Sequence, residues 1–204
     1  SKLVEEAIPS IIKVGELQKV LQSLLRERVP VRDIETILET LADWGTKTKD
    51  LDVLVEYARN ALRRTICSLY ADTNDDGKLS LVCVTLDPRL EDQVSAYIDR
   101  GAAGTVLNVP AKVARDIATV VSNELGAVMA RGRLPVVIAS PQVRNAMWQI
   151  LEPHIPGVAV LGYNEVVTGI DVESVGLIGP TGSQSREQVT NHESNGAGVP
   201  VGAA

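Results

Sequence analysis

The segment Asp72-Thr73-Asn74-Asp75-Asp76-Gly77-Lys78-Leu79-Ser80 concentrates more chemically capable side chains than any other stretch of the chain. Oxygen-bearing residues stand at its first, third and fifth positions, glycine at the sixth and an aliphatic residue at the eighth, which is how a calcium-binding EF-hand loop begins. The twelfth position should bring a bidentate glutamate, but Cys83 stands there, and an apolar strand pattern follows where a helix belongs. Without that carboxylate the loop lacks a charge and two ligand oxygens. The segment therefore reads as a polar turn between two parts of the chain, and neither a metal nor a cofactor is expected.

Other candidate chemistries are weaker. Ser140 stands at a strand-to-helix corner, as a hydrolase nucleophile would, but its flanks are Ile138-Ala139 and Pro141-Gln142 rather than the glycines of a nucleophile elbow. It is expected instead to cap a helix whose first residue is Pro141. The histidines available as a base, His154 and His192, lie beside a proline and in a polar tail. Gly101-Ala102-Ala103-Gly104 has the spacing of a nucleic-acid clamp. The surrounding acidic balance argues for a simple loop before Thr105-Val106-Leu107. Cys67 and Cys83 lack a paired spacing and lie in apolar segments, so buried free thiols are expected. No catalytic residue is assigned.

Composition narrows the class further. The 204 residues are 45% hydrophobic and carry a net charge of −6, with aromatics at 3% and no phenylalanine. Phosphate backbones select basic surfaces and bases stack on aromatic rings, so a nucleic-acid partner is not expected. No apolar run reaches the ~20 residues that a membrane helix requires, and Ser1-Lys2-Leu3-Val4-Glu5-Glu6 has no signal-peptide pattern. The chain is expected to be soluble.

Hydrophobic periodicity predicts helices over about 15–28, 31–44 and 50–70, the last capped by Asp50, with 2–8 the end of an earlier helix. The polar break 71–78 then separates two periods. Beyond it, apolar runs at 79–86, 135–139 and 158–161 read as strands buried on both faces. Helices over 111–131 and after Ser140 alternate with them, and 170–178 reads as a final strand at an edge. The expected fold class is α + α/β: a helical subdomain over 1–78, then a small, mostly parallel α/β subdomain over 79–179. A disordered tail is expected over 180–204.

The first two helices meet at an abrupt corner. Leu17, Val20, Leu21, Leu24 and Leu25 form one apolar stripe, and Ile34, Ile37, Leu38, Leu41 and Trp44 form the next. Between them lie Arg28-Val29-Pro30-Val31-Arg32-Asp33. Pro30 must stop the first helix and is well placed in the opening turn of the second, with Arg32 and Asp33 beside it. Arg28, Pro30, Arg32 and Asp33 are the candidate subunit-interface residues, since opposite charges at a rigid corner suit register-setting between subunits. The alternative is that they only solvate and cap a helix start.

The run LQKVLQSLLRERVPVRDIETILETLADW resembles the C-terminal cytoplasmic part of the type III export-gate family, FHIPEP, found in flagella and in virulence injectisomes. Asp50 to Ile66, the strand end at Leu86-Asp87-Pro88, and the segments Val136 to Pro141 and Val160 to Val166 extend the resemblance over roughly 1–179. It implies a fragment of an inner-membrane protein, facing the cytoplasm, whose full-length form builds a ring with itself and with other export-gate subunits. Export chaperone–substrate complexes would engage mainly upstream subdomains. Without those subdomains and the membrane half that tethers the protomers, this fragment is expected to be mainly monomeric. The flagellar branch is preferred. The alternative is a stand-alone regulatory domain binding a small molecule above the carboxyl ends of its strands.

Overall fold

The computed structural model describes residues 12–180 apart from 75, 102 and 103. The expected helix over 2–8 and the tail lie outside the described residues. Four helices come first: α1 (Val14–Arg26), α2 (Ile34–Trp44), α3 (Leu51–Ala61) and α4 (Arg63–Tyr70). A short strand β1 (Asp72–Thr73) leads into β2 (Leu79–Leu86), α5 (Pro88–Ser95) and a hairpin of β3 (Ile98–Gly101) and β4 (Gly104–Leu107). The chain closes with α6 (Ala111–Ala130), β5 (Val136–Ala139), α7 (Arg144–Leu151), β6 (Ala159–Gly162), a 3-10 turn (Tyr163–Glu165) and β7 (Asp171–Ile178). The α + α/β class is as the periodicities imply.

The main sheet runs β7-β2-β5-β6, with every neighbouring pair parallel, and β1 adds an antiparallel bridge to the start of β2. Alternation along β2 assigns its side chains to opposite layers. Val82, Val84 and Leu86 pack with α5, α6 and α7, whereas Leu81 and Cys83 pack with α1 to α4. β5 and β6 are buried along their whole length. A parallel sheet covered by helices on both faces needs this continuous apolar pattern. β7 is an edge strand, mostly exposed.

Several boundaries depart from expectation. The second helix starts at Ile34, because the Asp33 carboxylate accepts the Thr36 amide (3.2 Å) and fixes the start there. Pro30 and Arg32 therefore lie in the linker, not in the helix's first turn. The 50–70 helix is interrupted at Leu62, whose ψ of 6° departs from the helical value and divides it into α3 and α4. Ser140 does not cap α7 with its side chain. α7 begins at Arg144, after a turn in which Val143 and Arg144 both donate to the Ser140 carbonyl. Helix α5 was not foreseen, although Asp87 caps it by accepting from the Arg89 amide and Pro88 opens it. The glycines 101 and 104 belong to a hairpin rather than a plain loop, with Gly104 at φ +114°.

Candidate interface corner and buried ion network

The corner is a Schellman turn. The Arg28 amide donates to Leu25 (3.0 Å) and the Val29 amide to Leu24 (2.9 Å), closing α1 while Val29 stays buried against the core. Arg28 takes the left-handed conformation at φ 59°, the place where glycine usually stands. Its guanidinium lies over the Gly157 turn: a Cβ built on Gly157 would meet it at 3.1 to 3.4 Å. Arg32 and Asp33 are exposed and Pro30 half-buried. Asp33 is spent on the start of α2, taking the Thr36 hydroxyl (2.8 Å) as well as its amide. Leu25 and Ile34, on either side of the corner, remain 55% and 41% exposed, and Val14 at the far end of α1 is 64% exposed. The four candidate residues thus share one turn, with uncovered apolar side chains around it.

Beneath the corner is a cluster that the sequence reading missed. Arg59 of α3 donates to both Glu165 oxygens (2.7 and 2.9 Å) and to Glu27 (2.9 Å). Arg144 of α7 reaches the same Glu27 (2.5 and 3.2 Å) and holds Glu56 through Nε (2.7 Å) and through its terminal nitrogen. Both arginines also donate to the Val160 carbonyl of β6, each at 3.3 Å. Arg59 and Arg144 are 2% and 0% exposed, and Glu165 and Glu27 are 2% and 5% exposed, whereas Glu56 keeps 29% of its side chain exposed. The forked guanidinium meets two acceptor groups at once, which an ammonium does not do with fixed geometry.

Five elements converge here: the closing turn of α1, α3, α7, β6 and the 3-10 turn. The connection from β6 to β7 crosses from one sheet edge to the other, with Val166 and Ile170 packed against the helical layer. Glu165 anchors it by also accepting the Gly162 amide (2.9 Å), while the Cys67 thiol donates to the Glu165 carbonyl (3.1 Å). Three carboxylates face two guanidiniums in this cluster. Burial raises the Glu56 carboxyl above its ordinary range, against the pull of Arg144.

The other candidates have structural occupations. Asn74 Oδ1 accepts the amides of Asp76 (3.1 Å) and Lys78 (2.8 Å), which makes the calcium-like segment the turn between β1 and β2. The Ser140 amide donates to Glu91 (2.6 Å). Both cysteines are buried free thiols, and burial pushes Cys83 up to about 12. Such thiols are poor nucleophiles. Among the described residues no group of three metal-ligating side chains gathers, and no helix is long and apolar enough to cross a membrane.

The FHIPEP family model matches residues 1–171. Over 176 residues the chain is 36% identical to the flagellar biosynthesis protein FlhA of Bacillus subtilis, covering 86% of this chain and 25% of that protein. It is 28% identical over 177 residues to the low calcium response locus protein D of Yersinia pestis, covering 87% of this chain and 24% of that one. The nonameric EPEC SctV-C, solved by cryo-electron microscopy, superposes with a TM-score of 0.74 at 28% identity, over 87% of this chain and 52% of that chain. The chain thus spans about a quarter of the curated relatives' length.

Proposed function

Because this chain belongs to the FHIPEP family, we propose that it is the C-terminal cytoplasmic part of a type III protein-export gate, serving as a ring-building and docking platform rather than an enzyme. The full-length protein would sit in the bacterial inner membrane with this part on the cytoplasmic face. The family match over 1–171 carries the proposal, and the likeness to a chain solved as a nonamer supports the ring. The flagellar branch is favoured by the higher identity to the flagellar relative than to the low calcium response protein.

The arrangement of the corner gives the reading physical content. A subunit contact needs exposed apolar area with charges that set register. Leu25 and Ile34 offer the first, and Arg28, Arg32 and Asp33 offer the second. The ion network ties that corner to the α/β part through Glu27, the residue that closes α1. A neighbour seated at the corner would therefore orient the α/β part as well. Chaperone–substrate complexes would dock chiefly through segments outside this chain.

Membrane anchoring raises local concentration, so weak contacts suffice in the assembled gate. The isolated 204-residue chain is accordingly expected to be monomeric at micromolar concentration. Light scattering tests this, alongside Arg32→Glu in the full-length protein. The expected results are a monomer for the isolated chain and loss of export for the full-length variant, whose protein level is unchanged. Undiminished export with Arg32→Glu and Asp33→Lys, made separately, would remove the corner from the interface.

A further inference from the structure

An open cleft of about 300 Å³ lies between α3 and the loops that follow β5 and β6. Asp52, Tyr57 and Asn60 of α3 form one wall, and Gln142, Asn145 and Asn164 form the other. The two strands are parallel, so their carboxyl ends open on the same side, where α/β sheets leave a crevice between diverging connections. The β3–β4 hairpin bounds it. The Thr105 hydroxyl donates to Asp50 at the start of α3 (2.8 Å), and Arg100 donates to the Gln142 carbonyl (2.8 Å). Both ties hold the hairpin across one end of the cleft.

The polar groups in this cleft divide into spent and unspent. Glu56 is taken by Arg144, and Asp50 by Thr105 and by the opening amides of α3. Arg100 is turned to a carbonyl. Asp52 is different: it is half-buried, and among the described residues its carboxylate has neither a salt bridge nor a side-chain hydrogen bond. Burial and the neighbouring Asp50 raise its carboxyl above the ordinary range, as happens when the carboxylate lacks a cation in contact. The side-chain amides of Gln142 and Asn145 also have no protein partner among the described residues. A half-buried anion thus faces carboxamides that are free to bond.

We propose that this cleft binds an extended peptide segment carrying a lysine or arginine, with the cation on Asp52 and the peptide backbone on the Gln142 and Asn145 carboxamides. Charge decides the sign of the occupant: of the charged groups lining the cleft, Glu56 is held by Arg144 and Arg100 lies on the Gln142 carbonyl, while Asp52, with Asp50 beside it, has no cation in contact among the described residues. The carboxamides decide the class. Each offers a donor and an acceptor side by side, matching a peptide unit, whereas a lone ammonium ion would leave them unused. The site is contained within one copy of the chain, so its occupancy does not depend on ring assembly.

The test is a titration of the ¹⁵N-labelled 204-residue chain at low ionic strength with three probes. These are the pentapeptide acetyl-Gly-Ser-Lys-Ser-Gly-amide, its glutamate counterpart, and butylammonium. The lysine peptide is expected to shift the side-chain amide signals of Gln142 and Asn145 saturably, with the glutamate peptide inert. Asp52→Asn should weaken the lysine peptide about tenfold, the value of one lost charge contact of ~1.4 kcal/mol, and Gln142→Ala should weaken it less. Asp116→Asn, on the exposed face of α6, should leave it unchanged. Equal shifts from both peptides, shifts outside the cleft, or an unaltered affinity in Asp52→Asn would overturn the proposal. Butylammonium binding as tightly as the lysine peptide would overturn the peptide assignment.

Discussion

Arg59 and Glu165 stand 106 residues apart in the chain and meet as a two-pronged ion pair, at 2.7 and 2.9 Å. Both side chains are 2% exposed. The pair joins the helical layer to the connection that carries the chain from β6 to β7. Its strength in place and its cost when broken are separate quantities, because desolvation offsets much of the attraction.

Breaking the network from the cationic side should therefore be severe. Arg144→Met leaves Glu56 without a guanidinium and Glu27 with Arg59 alone, and Arg59→Met strands Glu165. Each is expected to cost about 3–5 kcal/mol of unfolding free energy, read from urea denaturation. Arg144→Lys should recover only part of the loss, since one ammonium cannot bridge both carboxylates in forked geometry.

The carboxylates should behave unequally. Glu27 receives both arginines, and Glu27→Gln is expected to cost about 3 kcal/mol. Glu56 is bound to Arg144 alone and its carboxyl is raised by burial. A carboxyl raised on folding binds more protons in the native state, so its contribution to stability falls as pH rises from the ordinary value of 4.5 through the native one. Glu56→Gln should thus stay within about 1 kcal/mol of the parent at neutral pH. It should also flatten the stability–pH curve just above 4.5, which denaturation at stepped pH values measures.

The Arg28–Gly157 contact predicts coupling. Gly157 has φ +83°, so Gly157→Ala should cost about 1–2 kcal/mol from backbone strain alone. The added methyl also presses on the Arg28 guanidinium. Arg28→Gly removes that second part and relaxes its own left-handed backbone, so the double variant should be more stable than the sum of the two single effects. A double-mutant cycle with no coupling would mean that the guanidinium does not rest on this turn.

Asp50 has two duties, and they can be separated. Asp50→Ala removes the cap of α3, worth about 1 kcal/mol, together with the Thr105 bond to the hairpin. Thr105→Val removes only the bond, for about 0.5–1.5 kcal/mol. Hydrogen exchange should quicken in the β3–β4 hairpin for both variants and at the start of α3 for Asp50→Ala alone.

What the sequence disclosed follows from the range of each signal. The stripes of α1 and α2, the Asp50 cap, α6 and the buried strands rest on neighbours a few positions apart, which a linear reading sees. The interruption at Leu62 and the start of α2 at Ile34 depend on local dihedrals and on which side chain takes the cap, and spacing alone leaves those open. The ion network joins residues from distant segments, and arginine and glutamate ordinarily read as solvated. A faint signal was present: Arg59 stands four residues after Val55 on the buried stripe of α3, and Arg144 lies on the stripe of Met147 and Leu151. A charge on an apolar stripe asks for a partner. Asp87-Pro88 likewise carried a cap followed by a first helical residue, the signature of α5, and reading it only as a strand end hid that helix.

The central claim is that the Arg28–Asp33 corner contacts a neighbouring copy in the assembled gate, and photo-cross-linking tests it most directly. A benzoylphenylalanine in place of Arg32 in the full-length protein, irradiated in native membranes, should give a ladder of covalent oligomers. The same substitution at Lys112, on the exposed face of α6, should not. The isolated 204-residue chain carrying the Arg32 replacement should remain monomeric after irradiation at micromolar concentration. Full-length protein that assembles and supports export, yet gives no cross-link from position 32, would contradict the account.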